Sequence, residues 1–225
     1  MSASKLFLVS GGSGGIGAAT CEALAAAGFV PVVGYHSAAA AAEQVAERTG
    51  GIALALDLAS DASIDQALVR LAGEPASLAG AVLAGSPPLV LAPFGKILSD
   101  DLQAQLQVNV LGPQRLLAGL VRQCWRGQKD GVVIGVLSQA MGDESGHAAS
   151  GLGAYVIAKY GMAGLLAVLA ADYPWLRVRT VRPGYTETRM LTAFDERFLA
   201  LQRDKQPFQT PQEVAAQILA EVHRR

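Results

Sequence analysis

Six short apolar runs, each followed by a longer segment of helical character, leave this chain few folds to choose from. Residues 6–9, 30–33, 52–56, 80–84, 132–137 and 176–181 read as strands. Most of these runs are continuous rather than alternating, the pattern of parallel strands buried on both faces. Helices are expected at 15–27, 38–48, 61–72, 99–125 and 153–172, with a last pair at about 190–204 and 211–224. Ser60 and Asp61 mark the start of the third helix, and Thr210, Pro211 and Glu213 the start of the last. Strand-then-helix repetition predicts an α/β fold, a doubly wound parallel sheet of about six strands flanked by helices. A chain of 225 residues suits one such domain spanning 1–225. The alanine run at 38–42 is no linker, because alanine is the strongest helix former.

Charge and composition remove several classes of function. Lys plus Arg number 18 and Asp plus Glu 19, a net charge of -1, so neither nucleic acid nor an anionic membrane is an expected partner. Cys21 and Cys124 make no disulfide framework, and His36, His147 and His223 are scattered without metal-binding spacing. No metal is expected. Two charge-free stretches invite a membrane reading, but prolines break 75–95, while Gly28, Pro31 and Gly34 divide 23–42. Residues 6–10 run straight into glycines, unlike a secretory leader. A cytoplasmic protein is expected.

After the first strand comes Ser10, Gly11, Gly12, Ser13, Gly14, Gly15, Ile16, Gly17, and then a helix. Glycines permit a tight turn with positive φ and let a pyrophosphate approach the backbone without meeting a Cβ. The helix start adds free N–H groups and partial positive charge. The spacing is GxxxGxG rather than GxGxxG. The second strand ends at Tyr35, His36 and Ser37, where an acidic residue would accept bonds from the ribose of NAD. No carboxylate follows until Glu43, which favours NADP(H) over NAD(H), although no Arg or Lys is at hand. His36 and Ser37 suit a phosphate, but a solvent-facing loop explains them too. Asp57, with Leu58 beside it, either receives the adenine amine or makes a helix-leading Asx turn.

A late strand ends at Ser138, and the following helix carries Tyr155 and Lys159, one turn apart on one face. A phenol titrates near pH 10, so bringing it to neutrality takes about 4 kcal/mol of favourable interaction. A nearby ammonium and a cationic nicotinamide are the expected sources.

SGGSGGIG at 10–17, Asp57, Ala84-Gly85, NVLG at 109–112, Ser138, YVIAK at 155–159 and RPGYTET at 182–188 together resemble the short-chain dehydrogenase/reductase family. The likeness is to the classical type of 3-oxoacyl-carrier-protein reductases, from residue 5 to about 220. The resemblance implies a Rossmann fold and an NAD(P)-dependent enzyme that interconverts a ketone and a secondary alcohol. It implies that Gly11, Gly15 and Gly17, with Ser13, Gly14 and Ile16, hold the pyrophosphate, and that Ala84 and Gly85 border the cofactor. Tyr155 would move the proton and Ser138 would bond the substrate oxygen. Lys159 would hold the nicotinamide ribose and lower the tyrosine's pKa, while Asn109 would position a water. Pro183, Gly184, Thr186 and Thr188 would lie near the nicotinamide. A homodimer or homotetramer would form through helices 99–125 and 153–172.

The departures are informative. The usual Asn-Asn-Ala-Gly reads Val82, Leu83, Ala84, Gly85, and Gly14 stands where a basic residue often marks NADP use. The loop between Ser138 and Tyr155 is long, and it offers Ser145 and Ser150 as alternatives to Ser138. The family's usual seventh strand is not expected after the last helix. The segment 185–208 is expected to cover the substrate, with Met190, Leu191, Phe194, Phe198 and Leu199 giving it an apolar side. A hydrophobic ketone or a 3-oxoacyl thioester fits that side better than a small polyol. Two other functions share these motifs in part: a non-catalytic dinucleotide-binding protein, and a nucleotide-sugar epimerase or dehydratase.

Overall fold

A computed structural model describes residues 5–142 and 147–224. Six parallel strands, β1 (Leu6–Ser10), β2 (Val30–Tyr35), β3 (Ile52–Ala55), β4 (Leu78–Leu83), β5 (Val132–Val136) and β6 (Arg177–Val181), form one sheet. Their order is β3-β2-β1-β4-β5-β6. The chain reverses its direction of growth between β1 and β4, and the crevice outside such a switch point is where open α/β sheets bind ligands. All six expected strands are present, with ends that move by one or two residues, within the ordinary fraying of element ends.

Alternate residues of each strand feed two hydrophobic layers. Leu6 and Leu8 of β1 face a core completed by α3 (Asp61–Gly73), α5 (Gly112–Leu120) and α6 (Gly153–Asp172). Phe7 and Val9 face the opposite core, under α1 (Gly15–Ala26), α2 (Ala39–Thr49) and α8 (Pro211–His223). Val82 goes into this second layer and Leu83 into the first, both fully enclosed. The apolar pair that replaces the usual asparagines is therefore core.

Helix boundaries follow local chemistry. Ser60 accepts a hydrogen bond from the Ser63 N–H, and Thr210 and Glu213 form a reciprocal capping box. The expected single helix over 99–125 is instead interrupted. It runs as α4 (Ser99–Leu106), a π-helical stretch Gln107–Leu111, α5, and a second π-helical stretch Val121–Trp125. The first interruption has a cause in the sequence. Pro113 has no N–H to offer the Asn109 carbonyl four residues earlier. The Asn109 side chain in turn bonds the Gln105 carbonyl at 3.0 Å. Wide turns of this kind concentrate at functional sites.

The last expected helical pair appears as a 3₁₀ turn Arg189–Ala193, then α7 (Glu196–Lys205) and α8. β6, with Arg177, Arg179 and Thr180, is not a continuous apolar run, as suits the outer strand of the described sheet. Among the described residues, α6 alone is long and apolar enough to cross a membrane. Its inner face packs on the sheet and holds Tyr155 and Lys159.

Candidate active site

Two cavities open at the carboxyl ends of the strands, and Ser86 borders both. The outer one, about 720 Å³, is lined by Gly11, Ser13, His36, Ser37, Asp57, Leu58 and Gly85, among others. The inner one, about 290 Å³, is lined by Ile16, Ala84, Ser138, Tyr155, Lys159, Pro183, Gly184, Thr186 and Thr188 together with apolar side chains. Sixteen residues called from the sequence for the cofactor or the chemistry thus border one cleft.

The glycine turn is shaped for close approach. Gly11 has φ +69 and Gly15 φ +47, values that side chains rarely adopt. A Cβ on Gly11 would lie 2.8 Å from the Gly85 Cα, and one on Gly15 would lie 2.9 Å from the Thr188 methyl. At Gly17 a Cβ would collide with the Gly11 carbonyl oxygen, so this glycine lets α1 begin against the turn. Gly14 is the N-cap of α1, with open space where a Cβ would be. A turn without side chains, at the start of a helix, facing the outer cavity, fits a dinucleotide pyrophosphate.

Ser10 holds the other side of this cradle. Its hydroxyl accepts from the Ala84 N–H at 3.2 Å and the Gly85 N–H at 3.3 Å, tying β1 to β4 across the switch point. Tyr35 is packed against the α1 side of the core instead of lining either cavity. At Asp57 one oxygen accepts from the Ala59 N–H at 2.8 Å, an Asx turn, while the other lies 3.6 Å from His36 Nε2.

Ser138 follows β5 and caps a short 3₁₀ turn, its hydroxyl accepting from the Ala140 N–H at 3.1 Å. Ser145 lies outside the described residues, and Ser150 lines neither cavity. Tyr155 is enclosed, and burial raises its phenol above the ordinary value, while a hydrogen bond with Ser138 works in the opposite direction. Lys159 is also enclosed, donates from Nζ to the Val136 carbonyl at 2.8 Å, and lies 5.5 Å from the centroid of the Tyr155 ring. Burial lowers its ammonium from 10.5 to about 7.

This differs from the expectation that Lys159 depresses the tyrosine. Desolvation weakens the lysine's hold on its charge, and it dominates at the phenol as well. Asn109 is fully buried behind the cavities and touches the cleft through Ser86, to which its Nδ2 donates at 3.3 Å.

The far wall is apolar. Leu89, Leu152, Tyr185, Met190, Leu191 and Phe194 line it, and Phe198 stacks behind Phe194 at 5.3 Å between centroids. Phe208 stacks on Tyr185 at 5.1 Å. Gln209 clamps this wall by accepting the Gly184 N–H on its side chain and pairing with Tyr185 and Glu187 through its backbone. Sequence reading missed Ser86, Leu89, Leu152 and Gln209, whose positions depend on which loops meet over the sheet.

Fold and cleft together define a dinucleotide-dependent oxidoreductase. Residues 5–198 match the family described as short chain dehydrogenase, and the chain belongs to it. An acetoacetyl-CoA reductase of Allochromatium vinosum is 30% identical over 203 residues, 85% of this chain and 79% of that protein. A 2,5-dichloro-2,5-cyclohexadiene-1,4-diol dehydrogenase of Sphingobium indicum is 28% identical over 193 residues, 83% of this chain and 74% of that one.

Two solved structures share the fold. A 3-ketoacyl-(acyl-carrier-protein) reductase from Brucella melitensis, complexed with NADH, superposes with TM-score 0.85 at 20% identity, over 96% of this chain and 89% of that one. BdcA in complex with NADPH gives TM-score 0.80 at 22% identity, over 97% and 86%.

Proposed function

We propose that the protein interconverts a ketone and a secondary alcohol, with NADP(H) as the favoured cofactor. The observation that carries this is the meeting of Ser138, Tyr155 and Lys159 on one wall of a cavity that adjoins the glycine turn. Gly11, Ser13, Gly14, Gly15, Ile16 and Gly17 would hold the pyrophosphate and Lys159 the nicotinamide ribose. Ala84, Gly85, Pro183, Gly184, Thr186 and Thr188 would line the nicotinamide side. When bound, the cofactor supplies hydride to a carbonyl carbon or removes it from an alcohol carbon.

The chain's own residues handle the oxygen. Ser138 orients it by hydrogen bonding, and Tyr155 gives it a proton in reduction and takes one in oxidation. Asn109 stands behind them as holder of a water. The apolar wall supports a hydrophobic or cyclic ketone, or the acyl end of a 3-oxoacyl thioester, and the names of the two relatives span both classes. The segment 185–208 serves as the substrate cover.

NADP(H) is favoured because the Tyr35–Ser37 tip carries no carboxylate, leaving His36 and Ser37 for a 2′-phosphate. NADPH is therefore expected to bind more tightly than NADH. Fluorescence titration with both cofactors measures this. Tighter binding of NADH by about tenfold, about 1.4 kcal/mol, overturns the preference. Absence of binding by either at millimolar concentration removes the enzyme reading. A panel of acetoacetyl thioesters, cyclic and aromatic ketones and sugars, assayed with NADPH, then tests the substrate class.

The two cysteines are free thiols, in keeping with a reducing cytoplasm. Self-association is proposed through α4, α5 and α6. On α6, Ile157, Tyr160 and Val168 are exposed, and Gly164 leaves room for a close neighbour. Light scattering at tens of micromolar is expected to show a dimer or tetramer, and a monomer there rules out this interface.

A further inference from the structure

Two carboxamides lie in the interior beside the cleft, Gln105 at 3% exposure and Asn109 at 0%. A carboxamide has a donor end and an acceptor end of nearly equal shape, so its neighbours decide which way it faces. Here the deciding neighbour is a carbonyl. The Pro88 oxygen can only accept, and it takes a hydrogen bond from Gln105 Nε2 at 3.0 Å. That turns Gln105 Oε1 toward Asn109, where it accepts from Nδ2 at 3.1 Å. The Gln105 main-chain carbonyl, at 3.0 Å, and the Ser86 hydroxyl, at 3.3 Å, meet the same nitrogen.

Nδ2 thus faces three oxygens, and Oδ1 is left buried with no partner among the described residues. Turning the Asn109 amide over would set its oxygen against both Gln105 oxygens. Turning both amides would set Gln105 Oε1 against the Pro88 carbonyl. The chain of bonds runs one way only.

We propose that Gln105 is a positioning residue, which transmits the polarity of the Pro88 carbonyl to Asn109 so that Oδ1 is presented as an acceptor for an internal water. This rests on the reading of Asn109 as part of the active site. A water suits the role because an enclosed acceptor requires an O–H or N–H, and water satisfies polar groups that the chain leaves open. Ser86 joins the network to both cavities, so the orientation of the amide is felt at the cleft.

The test is a double-mutant cycle on the full-length protein. Gln105→Met keeps length but removes both the donor and the acceptor. It is expected to lower kcat by about tenfold, while KM and the NADPH Kd stay within about twofold. In an Asn109→Ala background the same change is expected to cost less than about twofold, because the residue through which Gln105 acts is gone. Equal losses in the two backgrounds would overturn the proposal.

Gln105→Glu supplies a sharper readout. A neutral carboxyl can donate its O–H to Pro88 and accept from Asn109, so turnover should recover toward native at low pH and fall as the carboxyl ionises. A pH profile parallel to that of Gln105→Met overturns the idea. If the variants do not fold, side-chain amide exchange in the native protein decides. The NH₂ protons of both carboxamides should be protected, and rapid exchange of the Gln105 pair would defeat the network. Protected amides in a protein inactive toward every carbonyl would keep the network and discard the proposed function instead.

Discussion

Tyr155→Phe is expected to cut turnover at least about a hundredfold, the usual cost of losing a general acid, while NADPH affinity stays within about twofold of native. The ring remains to fill its enclosed place on α6, and only the hydroxyl next to Ser138 is removed. Burial raises the phenol above its ordinary value, so the protonated form is the resting state at neutral pH. That form is suited to giving a proton to a carbonyl oxygen. The reverse reaction needs the ionised form, and its rate is expected to climb with pH beyond neutrality, whereas reduction stays level until the phenol ionises. Steady-state rates in both directions across pH, with cofactor binding measured separately, check this. Full activity in Tyr155→Phe would eliminate the mechanism.

What the sequence made legible follows from local periodicity and backbone chemistry. The strands were visible because parallel strands enclosed on both faces need unbroken apolar runs, as in Leu6–Ser10 and Val132–Val136. The glycine turn was visible because positive φ and close approach select glycine, and Gly11, Gly15 and Gly17 each meet one of those demands. Ser138, Tyr155 and Lys159 were found by order along the chain, and the fold brings them to one cavity.

Other placements depend on contacts between elements. Tyr35 ends β2, and which side it takes is a matter of strand parity: it is half-buried against the second core layer and lines neither cavity. Ser86 and Gln209 contribute through contacts between distant loops, such as Gly184 with Gln209, and no spacing rule points to them. The interruption of the 99–125 helix was readable in principle. Gly112 and Pro113 stand in mid-helix, where a missing N–H and a side chain that bonds its own helix widen the turn. The behaviour of Lys159 was not readable, because it is set by the enclosure of its side chain between α6 and β5.

Lys159→Met is expected to stabilise the protein while impairing it. Among the described groups whose titration shifts, Lys159 stands out as an enclosed cation whose neighbours, the Val136 carbonyl at 2.8 Å and the Tyr155 ring, carry no negative charge. Burial takes its ammonium from 10.5 to about 7, whereas the unfolded chain keeps the ordinary value. Between those two pH values the unfolded state binds more protons, so native stability rises with pH across that window. Below about pH 7 the folded protein carries the ammonium and bears the whole cost of enclosing it. Methionine fills similar space without charge, and replacing buried ionic groups by apolar ones gains about 1–4 kcal/mol. Loss of the bond to Val136 returns about 1 kcal/mol of that. Without cofactor, the variant should therefore unfold at a higher temperature than native at pH 6, by a margin that shrinks as pH rises toward 10. Turnover should fall along with NADPH affinity, because on the proposed function the nicotinamide ribose loses its partner. Thermal unfolding at several pH values, paired with cofactor titration, separates the two effects. A variant less stable than native at pH 6 would show that the enclosed ammonium is stabilised by its surroundings, contrary to the cost that desolvation imposes here.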